Sequence, residues 1–239
     1  MLDYLYRYNG RSGSACPGVG EWLESFDECE NIFCITITSG LSGSFNSACA
    51  AVREYQQAHP KYRACVIDSL STGPETALII EKLSEYIEAD MSFKDIKLAI
   101  KKYKEHTHLI FSLDSLVNLA NNGRVSHIVA KFAGVLGIRI IGKASNEGTL
   151  EITDKPKGEK KALATILKNM LAEGYDGGKV RIHHCENEKA AHTLRNMIQD
   201  IYPTAKVDVD TTKGLCSFYA ERGGLLVGFE GGSKYSSAK

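Results

Sequence analysis

Between Thr36 and Ser47 the chain reads Thr-Ile-Thr-Ser-Gly-Leu-Ser-Gly-Ser-Phe-Asn-Ser, which places hydroxyls and glycines where an apolar, β-branched run gives way to a helical one. Asn31 to Ile37 has the composition of a strand, and from Ser44 a helix runs on through Ala48, Ala51, Val52 and Tyr55. Ser39 and Ser42 therefore sit in the turn. There the free N–H groups of the first helical residues point outward and serine hydroxyls add donors, so the favoured chemistry is binding of a carboxylate or a phosphate. Gly43, like Gly40, lets the backbone approach a ligand closely. The same residues also suit a plain helix cap at Ser42, and the local sequence leaves both readings open.

Other residues support less. Asp68 and Asp114 offer a carboxylate pair for acid and base chemistry, though each also suits the cap of the helix that follows it. His183 and His184 are neighbours in a strand, so their side chains point to opposite faces and cannot chelate one metal together. Lys155, Lys157, Lys160 and Lys161 read as a solvated basic face. The seven cysteines are Cys16, Cys29, Cys34, Cys49, Cys65, Cys185 and Cys216. They form no CxxC pair and so signal neither a zinc nor a redox motif. Cys34, Cys49 and Cys65 lie in apolar runs and read as small hydrophobes, while Cys16, beside Pro17 and Gly18, is the candidate reactive thiol. GxxxxGKS/T, GxGxxG after a strand, HExxH and a nucleophile elbow are all lacking, so neither cofactor nor metal is expected.

The 239 residues carry 29 basic and 29 acidic side chains, a formal net charge of +0. With no net field and no basic stripe interleaved with aromatics, nucleic acid is a poor partner. No apolar run approaches the roughly 18 residues of a membrane helix, and the N-terminus lacks the basic and apolar regions of a signal peptide. Free thiols suit a reducing compartment, so the expected location is the cytoplasm.

The elements that must position these residues alternate. After a short helix at Met1 to Tyr8, the pattern predicts a helix at Gly18 to Phe26, the strand and helix described above, strand Arg63 to Asp68 and an amphipathic helix at Pro74 to Glu88. That order argues for a parallel sheet covered by helices, with Thr38 to Ser42 and Asp68 to Ser71 on one ligand-binding edge. Asp90-Met91-Ser92 marks a boundary, with Ser92 capping a helix at Phe93 to His106. Strand Leu109 to Leu113, helix Ser115 to Asn121 closed by Asn122-Gly123, and a helix from Ser126 to Val135 come next. Gly137 to Gly142 and Thr149 to Thr153 flank Asn146-Glu-Gly148 as a hairpin. Helix Glu159 to Glu173, strand Lys179 to His184, helix Lys189 to Ile201 and strands Lys206 to Val209 and Leu225 to Phe229 complete the chain. The fold class is α/β with two domains: residues 1–90 form a parallel three-layer α/β/α domain, and residues 91–239 a two-layer domain with a mixed sheet.

Ile37-Thr-Ser-Gly-Leu-Ser-Gly-Ser-Phe-Asn-Ser-Ala48, Val66-Ile-Asp-Ser69 and Leu113-Asp-Ser-Leu-Val-Asn-Leu-Ala-Asn-Asn-Gly-Arg-Val-Ser126, followed by Leu136-Gly-Ile-Arg139, resemble the DegV family of bacterial fatty-acid-binding proteins. The likeness runs over nearly the whole chain. It implies an acyl chain in an apolar slot between two domains, its carboxylate held by hydroxyls. It also implies a partner, a fatty-acid kinase that phosphorylates the presented carboxylate with ATP, so the binding protein is not itself the catalyst. By this resemblance Ser42 is a carboxylate-binding serine and Ser39 and Gly43 share its turn. The family's TSQPS loop aligns with Ser14-Ala-Cys-Pro-Gly18, which puts Ser14 where a threonine hydroxyl binds the same carboxylate. Arg139 falls at a usually basic position and joins the ligand-binding set, while Asp68, Ser69 and Arg124 take supporting places. Where the family reads HTGPGALG, this chain has Tyr219-Ala-Glu-Arg-Gly-Gly-Leu-Leu226, so Tyr219 replaces a histidine. A phenol still donates a hydrogen bond but carries no positive charge at neutral pH.

The family pattern also begins with a strand and an Asp-Ser turn ahead of the segment matching Met1 to Gly10. Without inner strands a parallel sheet exposes apolar faces and unpaired backbone groups, so the expectation is that the first domain is truncated relative to the family, or that a second chain, as in a homodimer, or a rearrangement covers the gap. Two other classes remain. One is a small-molecule hydrolase or phosphotransferase with Ser42 as nucleophile and Asp68 as its partner. The other is a non-binding structural or regulatory remnant.

Overall fold

Strands β1 (Asn31–Thr36) and β2 (Arg63–Asp68) run parallel, in register from Asn31 opposite Arg63 to Thr36 opposite Asp68, in the computed structural model, which describes residues 2–8, 10, 12–27, 29–126 and 137–235. Parallel strands need a crossover, and helix α3 (Ser44–Ala58) supplies it. Alternation along each strand then sends side chains to two faces. On one face Cys34 and Ala64 pack with Ala51, Val52 and Tyr55 of α3, Phe26, and the half-buried Trp22 and Leu23 of α2 (Val19–Glu24). On the other, Cys65 and Ile67 meet Ile79 and Leu83 of α4 (Gly73–Glu88) and Ile96 and Ile100 of α5 (Phe93–Tyr103). Each such aliphatic side chain taken fully from water contributes about 1.5–3 kcal/mol, so this α/β/α sandwich is held chiefly by its two helix layers.

The expected boundary at residue 90 falls inside that second cluster. Asp90, at φ 55°, ends α4 and turns the chain back, and Ser92 accepts the Asp95 N–H at 3.2 Å to start α5 on the same layer. A single 3-10 turn at Lys104–His106 then replaces the last part of the expected helix.

The second sheet has six strands in the order β5-β4-β3-β8-β6-β7, from β3 (Thr107–Leu113), β4 (Ile140–Ala144), β5 (Leu150–Asp154), β6 (Val180–His184), β7 (Val207–Thr211) and β8 (Leu225–Glu230). Only β6 and β7 are parallel, joined through α8 (Glu188–Ile201), so the sheet is mixed. Ile166 and Met170 of α7 (Glu159–Ala172) pack with Leu194 and Ile198 of α8 on one face, against Ile110, Ile141, Ile182 and Val227. The opposite face presents Leu109, Phe111, Leu113, Ile140 and Leu226. It is turned toward the first sandwich, whose α4 lies across β8 and β6. Arg181 of β6 clamps Glu81 of α4 with two hydrogen bonds of 2.7 and 2.6 Å, which fixes the two units against each other.

Two further elements differ from expectation. The strand expected at Gly137 to Gly142 begins at Ile140, and Ile138 makes only an isolated bridge to Lys157. A helix, α9 (Gly214–Ala220), stands where none was expected. Its Gly, Ser, Phe and Tyr content has little intrinsic helix preference, and burial of Phe218 and Ala220 supplies the stabilisation instead. The helix expected at Ser126 to Val135 lies outside the described residues, apart from its first.

Candidate functional site

Past β1 the chain turns on Thr38, whose N–H donates to Ser71 O at 2.8 Å and whose hydroxyl donates to Gly148 O at 2.8 Å while accepting the Gly40 N–H at 3.0 Å. Asp68, at the end of β2, accepts the N–H of Ser39 at 3.1 Å and of Leu70 at 3.0 Å, and Lys104 donates to its backbone carbonyl. The turn is thus tied to both sheets before α3 begins. Gly43 is the N-cap of α3 and contributes no side chain, so the cap contact comes from Ser42, whose Oγ accepts the Ser44 N–H at 3.2 Å and lies 2.9 Å from Ser44 Oγ. Ser47 Oγ donates to Pro17 O at 2.7 Å and draws the 14–17 loop onto this helix end.

A second set of side chains arrives from the mixed-sheet unit. Ser14 Oγ and Tyr219 Oη of α9 are 2.7 Å apart, and the Arg124 guanidinium carbon stands 5.7 Å from the Tyr219 ring centroid. Arg124 donates through Nε to the carbonyl of Leu41, one residue before Ser42, at 3.2 Å and through Nη1 to Asn122 O at 2.6 Å. The end of α6 (Val117–Asn121) places it there. Gly123, at φ 73°, donates to Ala120 O at 3.0 Å and Arg124 N–H donates to Leu119 O at 2.8 Å, the paired bonds of a left-handed helix stop. Asn122 meanwhile donates to Ser12 O at 3.2 Å, holding the loop that carries Ser14. At the other end of α6 the buried Glu221 accepts from Ser115 Oγ at 3.0 Å and Asn118 N–H at 3.1 Å; burial pushes its carboxyl up, and these two bonds offset part of the rise.

These groups close one end of a cavity of about 450 Å³ between the two units. Its walls are apolar: Leu109, Phe111, Leu113 and Leu226 from the mixed sheet, Leu119 from α6, and Ile37 and Leu41 from the turn after β1. Ser14, Ser42, Tyr219 and Arg124 supply the polar end. Among the described residues, Arg124 is the one charged side chain of the lining, and no histidine, aspartate or glutamate belongs to it. Such a cavity suits an elongated apolar molecule with one anionic end, met by hydroxyls, a guanidinium and the N-terminus of α3.

Of the residues expected to bind, Ser14, Ser42, Gly43 and Tyr219 line the cavity and Ser39 and Arg139 do not. Ser39 is exposed and gives its N–H to Asp68. Arg139 pairs with Asp114 at 2.5 Å and Glu159 at 3.5 Å and donates to Gly223 O at 2.9 Å, joining the end of β3 to the start of α7. Its basic character serves that junction. Burial pushes the Asp114 carboxyl up, against the opposing pull of Arg139. Ser69 is fully buried and folds its hydroxyl onto Ser71, donating to the carbonyl at 3.0 Å and accepting the N–H at 3.1 Å. Arg124 moves from a supporting place to the lining itself. Cys16 lines the cavity too, as do Thr72 and Cys216, which nothing in their local sequence marks out. Among the described residues no helix is long and apolar enough to cross a membrane, and no group of three or more His, Cys, Asp or Glu is placed to hold a metal.

The model of the DegV family, described as "Uncharacterised protein, DegV family", matches residues 2–230. The chain belongs to the DegV family. A DegV domain-containing protein of Streptococcus pneumoniae, spr0652, is 42% identical over 230 residues, covering 96% of this chain and 82% of that protein. Among solved structures, a DegV family protein from Eubacterium eligens loaded with heptadecanoic acid is 48% identical with a TM-score of 0.94, covering 97% of this chain and 84% of that one. The Streptococcus pneumoniae fatty acid kinase (Fak) B3 protein loaded with linoleic acid is 42% identical, also with a TM-score of 0.94, covering 96% and 82%. The α/β architecture with its mixed sheet is therefore the DegV fold, and the cavity between the units is a feature of this DegV chain's own packing.

Proposed function

We propose that this DegV protein binds one long-chain fatty acid in the cavity between its two units and presents the carboxylate to a partner fatty-acid kinase, acting in the cytoplasm where that kinase finds ATP. The carrying observation is the pairing of an apolar slot with a polar end built from Ser14, Ser42, Tyr219 and Arg124. Burial supplies most of the affinity: roughly ten methylenes contribute about 8 kcal/mol before the cost of association. The carboxylate needs the polar end to offset its desolvation. The fatty acids carried by the Eubacterium eligens and Streptococcus pneumoniae relatives support the same reading.

A hydrolase or phosphotransferase built on Ser42 fits the geometry less well. Asp68 spends its carboxylate on the N–H groups of Ser39 and Leu70, and Ser42 has Ser44 as its side-chain partner. Neither arrangement activates a nucleophile, because among the described residues no histidine or carboxylate belongs to the lining around that hydroxyl. A lipid carrier needs no such base, since the kinase performs the transfer.

Native mass spectrometry of freshly purified protein should show a mass excess equal to one fatty acid, and protein free of any lipid would remove the proposal. Ser42→Ala should weaken binding about tenfold or more, the worth of one hydrogen bond to a charged group. Its unfolding free energy should fall by no more than a capping contact contributes, about 1 kcal/mol. Unchanged affinity and unchanged presentation to the kinase would count against this role for Ser42.

A further inference from the structure

Gly142 of β4 stands directly opposite Phe111 of β3. A Cβ placed on it would lie 2.3 Å from Phe111 Cζ, 2.8 Å from Cε2 and 2.3 Å from the Glu151 carbonyl oxygen. The ring therefore fills the space that any side chain at 142 would take, resting on bare backbone where β4 slips register against β5 between Ile141 and Gly142. Phe111 is 2% exposed and belongs to the cavity wall. It stands between Leu109 and Leu113, which face the same side about 6.6 Å before and after it along the strand. Its ring is thus flanked along the strand by two apolar side chains of the same wall.

We propose that Phe111, by covering the notch over Gly142, sets the width of the slot and selects straight acyl chains over those bent by a cis double bond or widened by a methyl branch. The inference rests on the fatty-acid reading above. A smaller side chain at 111 would leave a hollow that the paired strands cannot close, because their backbones are fixed by the ladder on both sides. A bent or branched chain fills that hollow with its elbow or methyl group, whereas a straight chain leaves it empty. One methylene's worth of fit in an apolar site discriminates about tenfold or more, which is the scale the test must resolve.

The experiment offers palmitic acid, oleic acid and a branched C16 acid in equal amounts to the wild-type protein and to Phe111→Leu, and reads the bound fractions by native mass spectrometry. Phe111→Met, of nearly the same volume as leucine but unbranched and more adaptable, runs in parallel in case the leucine variant does not fold, and thermal unfolding confirms the fold of each. The wild type should favour palmitic acid. Each variant should raise the ratio of bent or branched to straight acid by about tenfold. Because the ratio is read within one sample, a uniform loss of stability does not move it. Ratios unchanged by either substitution in a wild type that does bind fatty acid would overturn this role for Phe111 alone, whereas a wild type that binds none of the three would overturn the functional reading as well.

Discussion

Ser42 and Arg124 approach the same end of the cavity from opposite units and differ in what each brings. Ser42 is already engaged with Ser44, so a ligand oxygen there joins a local network centred on the N-terminus of α3. Arg124 brings the charge, with two of its nitrogens held by the Leu41 and Asn122 carbonyls and its plane over Tyr219. Anchored in this way, the guanidinium loses little freedom on meeting a carboxylate. Arg124→Gln should therefore raise the dissociation constant for a fatty acid about tenfold, the scale of one charge-assisted hydrogen bond. Binding by the variant should also respond less to salt than the wild type does, as isothermal titrations at low and high ionic strength would report. An unaltered salt response would mean that the guanidinium does not act as the counter-charge.

At the scale of elements, most of what positions the site could be read from local sequence. The helix after Ser42, the Asn122-Gly123 helix stop, the Ser92 cap and the hairpin turn at Gly148 all form as expected, since each depends on hydrogen bonds between residues a few positions apart, and β1 was legible from its apolar, β-branched run although its ladder partner lies 32 positions on. Helix α9 could not be read this way, because tertiary burial stabilises it and local preference does not. Tyr219 was placed only through the family likeness, and what it touches depended on that helix. Helix α4 illustrates a further limit, since its outward charges find partners far away in sequence. Hydrogen bonds from Lys179, just ahead of β6, and from Lys82 hold the Glu85 carboxyl down at about 2. A depressed carboxylate contributes stability that is present above its unfolded value of 4.5 and is lost as pH falls through about 2. Glu85 is nearly half exposed, at 46%, so solvent screening keeps the contribution below about 1 kcal/mol. Urea titrations of Glu85→Gln should show a stability deficit of that size at pH 7 that shrinks as the pH is lowered through this range.

For the molecule as a whole, the cavity exists because two units with different sheets are locked together around it. Glu75, fully buried in the first turn of α4, accepts from Thr107 Oγ1 of β3 at 2.8 Å and from Lys234 at 2.7 Å, so one carboxylate joins the first unit, the mixed sheet and the segment after β8. Replacing it leaves a lysine that is only 10% exposed without this partner. Glu75→Ala should therefore cost about 3 kcal/mol, measured by chemical denaturation, whereas a loss of a few tenths would mean that Lys234 simply swings into water. Arg139 shows the converse case. Its charge was legible but its place was not, because whether a basic residue faces a ligand or an ion pair depends on which carboxylates the fold brings beside it, here Asp114 and Glu159.

The sequence by itself determined the α/β alternation and the hydroxyl-and-glycine turn at Ser39 to Ser44, since both rest on periodicity and short-range hydrogen bonding, and the likeness of its motifs gave the family. Only the tertiary structure decided that Ser14 and Tyr219, 205 positions apart, share a hydrogen bond, that Arg124 lies over Tyr219, and that Arg139 is committed elsewhere. Such meetings depend on how whole layers pack, and no local pattern encodes the distance between two surfaces that touch only after both have formed.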